Sequence, residues 1–70
     1  MPQNSRYQDT EFEALMNQVI ETLEENQADR DLSLMVLGNV ITHILKTQVK
    51  QQDRSAMAEK FADVLVKSVK

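Results

Sequence analysis

Apolar residues recur along this chain at intervals of three and four positions, the spacing of one face of an α-helix. In the middle of the chain they form one stripe, which predicts a helix over residues 31–49: Leu34, Leu37, Ile41, Ile44, Leu45 and Val49. Asp31 is a residue type that caps helix N-termini, so we expect the helix to start there. The same stretch carries further apolar residues on its flanks and back: Leu32, Met35, Val36 and Val40. Helices that are apolar nearly all round are buried, so protein should cover this one on more than one side.

The middle helix and the length of the chain together predict a homodimer. A 70-residue chain is close to the size at which a single core is barely sufficient. It has no cysteine for a disulfide, and one histidine does not make a structural zinc site. Gly38, the only glycine, costs about 1 kcal/mol relative to alanine inside a helix, and a close helix crossing would offset that cost. The predicted dimer interface consists of Leu32, Met35, Val36, Gly38 and Val40.

Two more helices flank the middle one. The first begins at Asp9 or Thr10 and fades at Asn26, a residue that tolerates a left-handed terminating conformation. The third follows a short link, with Asp53 as its cap, and Asp63 and Lys67 have the spacing of a favourable ion pair. No sustained alternation of apolar and polar residues predicts a strand. The predicted fold is all-α: a three-helix protomer in one domain over residues 9–70, in an intertwined or tightly packed homodimer.

Residues 1–8 are predicted to form an extended arm, because Pro2 disfavours a helix just before it and the following polar residues have no period. Arg6 and Tyr7 are its notable residues. The tyrosine ring offers a large apolar surface with a polar tip. It can dock the arm on its own or the partner's core, or recognise another molecule. A polar strip of Asn39, His43 and Lys46 on the middle helix is the second candidate partner surface.

Three segments of the chain resemble the YejL-like family of small uncharacterised bacterial proteins. They are Asp-Leu-Ser-Leu-Met-Val-Leu-Gly-Asn at residues 31–39, Met-Pro-Gln-Asn-Ser-Arg-Tyr at residues 1–7, and Phe61-Ala62 in the last helix. The resemblance implies an all-helical fold that associates as a homodimer. It implies no catalytic residues, because the family has no assigned biochemical activity.

The sequence offers no arrangement of residues typical of an enzyme or a cofactor site. His43 is the obvious candidate for acid–base chemistry, but no nucleophile or acidic partner stands at helical spacing from it. One glycine cannot form a phosphate-binding loop. We therefore expect no enzyme, no cofactor and no metal.

The net charge of −3 and the pI of about 4.9 disfavour nucleic-acid binding. The uncharged run from Leu32 to Leu45 has 14 residues, too few to span a bilayer. Since no signal peptide precedes it, we expect a cytoplasmic protein without a membrane partner. The favoured function is a small non-catalytic interaction or regulatory module that binds itself and an unidentified protein. The alternative is a weak nucleic-acid-associated regulator that uses basic residues of helices two and three, although Glu59 and Asp63 share that surface.

Overall fold

A computed structural model of the chain describes residues 9–70. These residues form three α-helices and no strand: α1 (Asp9–Glu25), α2 (Arg30–Gln48) and α3 (Gln51–Ser68). The predicted three-helix, all-α protomer is thereby confirmed. The predicted arm, with Arg6 and Tyr7, lies outside the described residues.

The chain divides into two compact units, Met1–Ser33 and Leu34–Lys70. The boundary falls within α2, so the first unit contains α1 and the first turn of α2. The second contains the rest of α2 and all of α3. The single domain over residues 9–70 stays a prediction.

In the first unit, α1 ends in a Schellman motif centred on Gln27. The amide of Ala28 donates to the carbonyl of Leu23 at 2.9 Å, and the amide of Gln27 donates to that of Glu24 at 3.0 Å. Gln27 has φ of 56°, the left-handed region that favours glycine. Leu23 and Ala28 are both half-buried, as the apolar contact of this motif requires. The left-handed residue is thus Gln27, one position after the predicted Asn26.

Asp29 caps α2, and the prediction of Asp31 as the cap was wrong. The Oδ1 of Asp29 accepts from the amide of Leu32 at 2.8 Å, while its carbonyl accepts from Ser33 at 2.9 Å. Asp31 lies inside the first turn and accepts from Nε of Arg30 at 2.8 Å. The Schellman motif ends at Ala28, so Asp29 is the first residue free to take the cap position. The cap therefore lies two residues before the predicted one, and α2 begins at Arg30.

In the second unit, Lys50 occupies the N-cap position of α3, with extended backbone at φ −61° and ψ 145° and no side-chain cap. Asp53, the predicted cap, lies instead in the first turn, where an acid is favourable to the helix dipole. Its amide donates to the carbonyl of Lys50 at 2.8 Å. The predicted pair of Asp63 and Lys67 is present at 3.1 Å.

Arg54 joins the end of α2 to the beginning of α3. Its Nε donates to the carbonyls of Leu45 at 3.1 Å and Val49 at 3.0 Å, and an Nη donates to that of Lys46 at 2.8 Å. The last carbonyls of a helix have no partner within the helix and carry its negative dipole end, so a guanidinium is well suited to them. The tight turn between the helices places Arg54 within reach of these carbonyls.

The half-buried apolar residues of α2 form a narrow stripe at intervals of four, which Val49 continues just after the helix: Leu37, Ile41 and Leu45. On α3 the half-buried residues are Arg54 and Ala58. Leu34 and Ile44, which were predicted to share the stripe, are exposed. Over residues 9–70 no side chain is fully buried, and 17 large apolar residues are exposed. One copy of the described chain therefore leaves much of its apolar surface uncovered.

Candidate functional site

The candidate site is an open apolar depression of about 430 Å³ on α2, in the second unit. Of the described residues, those that line it are Met35, Val36, Asn39, Val40 and His43. The exposed fractions of the three apolar residues are large: 62% for Met35, 41% for Val36 and 47% for Val40. Successive positions on a helix turn by about 100°, which places these residues on the side away from the half-buried stripe. The middle helix is thus apolar on two opposite sides, as its sequence predicted.

Several polar side chains of α2 bond to their own helix. Nδ2 of Asn39 donates to the carbonyl of Met35 at 2.7 Å, and the hydroxyl of Thr42 donates to that of Gly38 at 3.1 Å. The hydroxyl of Thr47 donates to the carbonyl of His43 at 2.8 Å. A side chain that donates to a backbone carbonyl already has a hydrogen-bond partner in the protein. Burying it under a partner therefore costs less free energy than burying an unpaired polar group. The polar residues of this helix are therefore compatible with a covered face.

The depression is lined by five residues that the sequence analysis assigned to two different surfaces. Met35, Val36 and Val40 were predicted for the dimer interface, and Asn39 and His43 for a partner surface. Both sets fall on one face of α2 because they alternate at spacings of three and four. A partner that covers the apolar residues therefore also meets Asn39 and His43.

Gly38 lies on the other side of α2, about 160° around the helix from Val36. A Cβ built on Gly38 would meet no atom within 4 Å. Residues 9–70 of one protomer therefore give no steric reason for a glycine. Of the other predicted surface residues, Leu32 is exposed in the first unit, and Lys46 is exposed and contacts Arg54 through its carbonyl.

Two further apolar faces, which helical periodicity places on α1 and α3, are exposed. On α1 the exposed residues are Phe12, Leu15, Met16, Val19 and Ile20, and only Leu23 of that stripe is half-buried. On α3 the exposed residues include Met57, Phe61, Val64 and Leu65. The helical periodicity located both faces correctly. Periodicity could not predict whether these faces would be buried or exposed.

The described residues assemble no cluster of three metal-ligating side chains. None of the helices described has the length and apolar character that a bilayer crossing needs. The described lining of the depression offers chiefly apolar contact, with the His43 imidazole and the Asn39 amide as its polar groups. Such a surface is typical of the centre of a protein–protein contact.

Residues 26–69 match the model of a family described as "Protein of unknown function (DUF1414)". The chain belongs to this family. The match covers all of α2 and α3, and the resemblance to the YejL-like proteins is confirmed.

Similar chains occur in several bacteria under the name "UPF0352 protein". One from Pseudoalteromonas atlantica is 59% identical over 69 residues, covering 99% of this chain and 96% of the relative. One from Shewanella denitrificans is 52% identical over 66 residues, covering 94% of both. One from Histophilus somni is 47% identical over 70 residues, covering all of this chain and 96% of the relative. These names assign no enzymatic activity.

Proposed function

We propose that this protein is a small, non-catalytic interaction module that works as a homodimer, with a second copy covering the depression on α2. The observation that supports the proposal is the exposure of Met35, Val36 and Val40 around one concave surface. Monomeric proteins rarely expose contiguous apolar patches unless these bind something. A two-fold axis would place the same patch on both copies, which is the commonest arrangement in soluble oligomers.

The number of apolar side chains in the depression limits the free energy of association that it can contribute. Complete burial of a valine or methionine side chain contributes about 1.5–3 kcal/mol. Three half-exposed side chains on each of two copies therefore contribute about 5–9 kcal/mol. Association costs about 4–15 kcal/mol in lost freedom of motion. The depression alone is marginal for a stable dimer, so further apolar surface must join it.

Gly38 and Leu32 belong to this proposal as additional interface residues. Since Gly38 lies on the opposite side of α2 from the depression, an interface with both would surround the helix. That arrangement is the intertwined form of the dimer. It is supported by the exposed apolar residues on both sides of α2.

Light scattering coupled to size exclusion tests the dimer. The natural chain is expected to have twice the monomer mass at micromolar concentration. Val36→Glu places a charge in the depression and should shift the chain toward monomer. The control Gln52→Glu adds the same charge at an exposed position of α3 and should leave the mass unchanged. A monomeric natural chain, or a Val36→Glu variant that dimerises as tightly, contradicts the proposal.

Nucleic-acid binding is the weaker candidate. Among the basic residues of α2 and α3, Arg54 is bonded to backbone carbonyls, and the acidic residues Glu59 and Asp63 stand among the lysines of α3. Phosphate contacts require free cations and weaken steeply as salt rises. A mobility-shift assay on duplex DNA at low salt is expected to detect no complex. A shift that disappears with salt would reverse this ranking.

The identity of any other protein partner and a cytoplasmic location stay predictions. Affinity capture of the full chain from its own cells, with Val36→Glu as the comparison, tests whether a partner uses the depression. Cell fractionation tests the location.

A further inference from the structure

The apolar face of α1 is exposed in the part of the chain that the structure describes. The exposed fraction is 61% for Phe12 and 63% for Leu15, and Met16, Val19 and Ile20 on the same face are also exposed. Along the whole of α1 there are six acidic residues and no basic residue. An apolar face on so acidic a helix is suited to an apolar surface bordered by positive charge.

The second unit of the chain offers such a surface. Along α3, an apolar stripe is exposed at helical spacing, formed by Met57, Phe61, Val64 and Leu65. Lys60 and Lys67 lie next to one border of this stripe, because they are separated by seven residues, or two turns. Lys67 is paired with Asp63, but both side chains are largely exposed, and such pairs exchange partners easily.

The charges of the two surfaces are opposite over a longer range as well. Residues 34–70 contain six basic and three acidic residues, a net charge of +3. Residues 9–33 contain eight acidic residues and one basic residue, a net charge of −7. In a dimer, α1 of each copy could pack on the second unit of the other copy. This arrangement would combine the apolar contact with the attraction between opposite charges. Such an exchange is reciprocal, as a two-fold interface requires.

We infer that α1 of one copy packs its apolar face on the α3 stripe of a second copy, with acidic residues of α1 beside Lys60 and Lys67. The inference rests on the proposed homodimer and supplies the additional apolar surface that the depression needs. A second copy is the favoured occupant because both faces are exposed within residues 9–70 and their charges are complementary.

A charge-exchange experiment tests this pairing. In the first variant, Glu13→Lys/Glu24→Lys, both changes fall on the same border of the α1 apolar face, since the positions differ by about 20° around the helix. In the second, Lys60→Glu/Lys67→Glu, the border of the α3 stripe is reversed. The control Glu21→Lys/Glu25→Lys changes the net charge as the first variant does, but on the side of α1 away from the apolar face.

Each of the two variants alone should dimerise about tenfold more weakly, because like charges then meet across the contact. A mixture of the two, with one chain tagged so that native mass spectrometry separates the species, should form a mixed dimer near the natural affinity. High salt should reduce these differences. The control should dimerise close to the natural affinity, and circular dichroism should give equal helix content for all variants.

Three results would overturn the inference while the homodimer itself stands. Variants that dimerise as tightly as the natural chain would remove α1 from the interface. A mixture without recovery would place the pairing within one chain. Equal weakening by the control would assign the effect to net charge. A natural chain that is monomeric would overturn the homodimer and this pairing together.

Discussion

The guanidinium of Arg54 donates to the carbonyl oxygen of Lys46 at 2.8 Å, across the turn between α2 and α3. The same side chain also reaches the carbonyls of Leu45 and Val49. Three of the last carbonyls around the end of α2 therefore have one charged donor group in common. The bonds to Leu45 and Val49 are partly buried, whereas the bond to Lys46 is exposed to water.

Replacement of Arg54 by alanine should lower the free energy of unfolding by about 1.5–3 kcal/mol, the range for hydrogen bonds to a charged group. Arg54→Lys should recover only part of this loss, because an ammonium lacks the planar fork that reaches several carbonyls. Urea denaturation at one fixed protein concentration measures both variants. Gln52→Ala, at an exposed position of α3, is the control and should change little. An unaffected Arg54→Ala variant would mean that water replaces these bonds at no cost.

Gln27→Gly should stabilise the chain by about 0.5–1 kcal/mol. A non-glycine residue at φ of 56° costs about 1–2 kcal/mol, and the greater freedom of glycine in the unfolded chain cancels part of the gain. The matched change Gln18→Gly, in the interior of α1, should destabilise by about 1 kcal/mol. Thermal melts of the two variants should therefore move in opposite directions. A loss at both positions would contradict the left-handed termination of α1.

Asp29→Ala and Asp31→Ala distinguish the observed cap from the predicted one. Loss of the Asp29 carboxylate leaves the amide of Leu32 without its partner and should cost about 1 kcal/mol. Asp31 makes only an exposed contact with Arg30, so its loss should cost no more than about 0.5 kcal/mol. Denaturation curves of the two variants at equal concentration give the comparison. The reverse order of effects would restore Asp31 as the cap.

Gly38→Ala tests whether a second copy approaches α2 at the glycine. In one chain the added methyl group meets no atom within 4 Å, and alanine favours the helix by about 1 kcal/mol. Helix content should therefore be kept, while dimerisation measured by sedimentation should weaken because the methyl group separates the two copies. A dimer of unchanged affinity that is about 1 kcal/mol more stable would remove Gly38 from the interface.

The helical pattern predicted most of the fold and failed at the helix ends. Periodicity located α1, α2 and α3, and the spacing of Asp63 and Lys67 predicted their ion pair. The caps were wrong because several residue types suit the same position. Asp29 and Asp31 are equally good N-caps as sequence, and the hydrogen bonds of the preceding Schellman motif select between them. Arg54 was missed because nothing in its spacing indicates that its side chain turns back toward α2.

The sequence by itself determined the three helices, the apolar residues on opposite sides of α2 and the acidic character of α1, since each depends on residue order and helical period alone. Only the tertiary structure decided that Leu37 and Ile41 are half-buried while Met35 and Val36 line an open depression. It also decided that Gln27 takes the left-handed position and that Arg54 caps α2. Periodicity places a residue on a face of its helix, whereas burial and capping depend on which atoms the rest of the chain brings near that face.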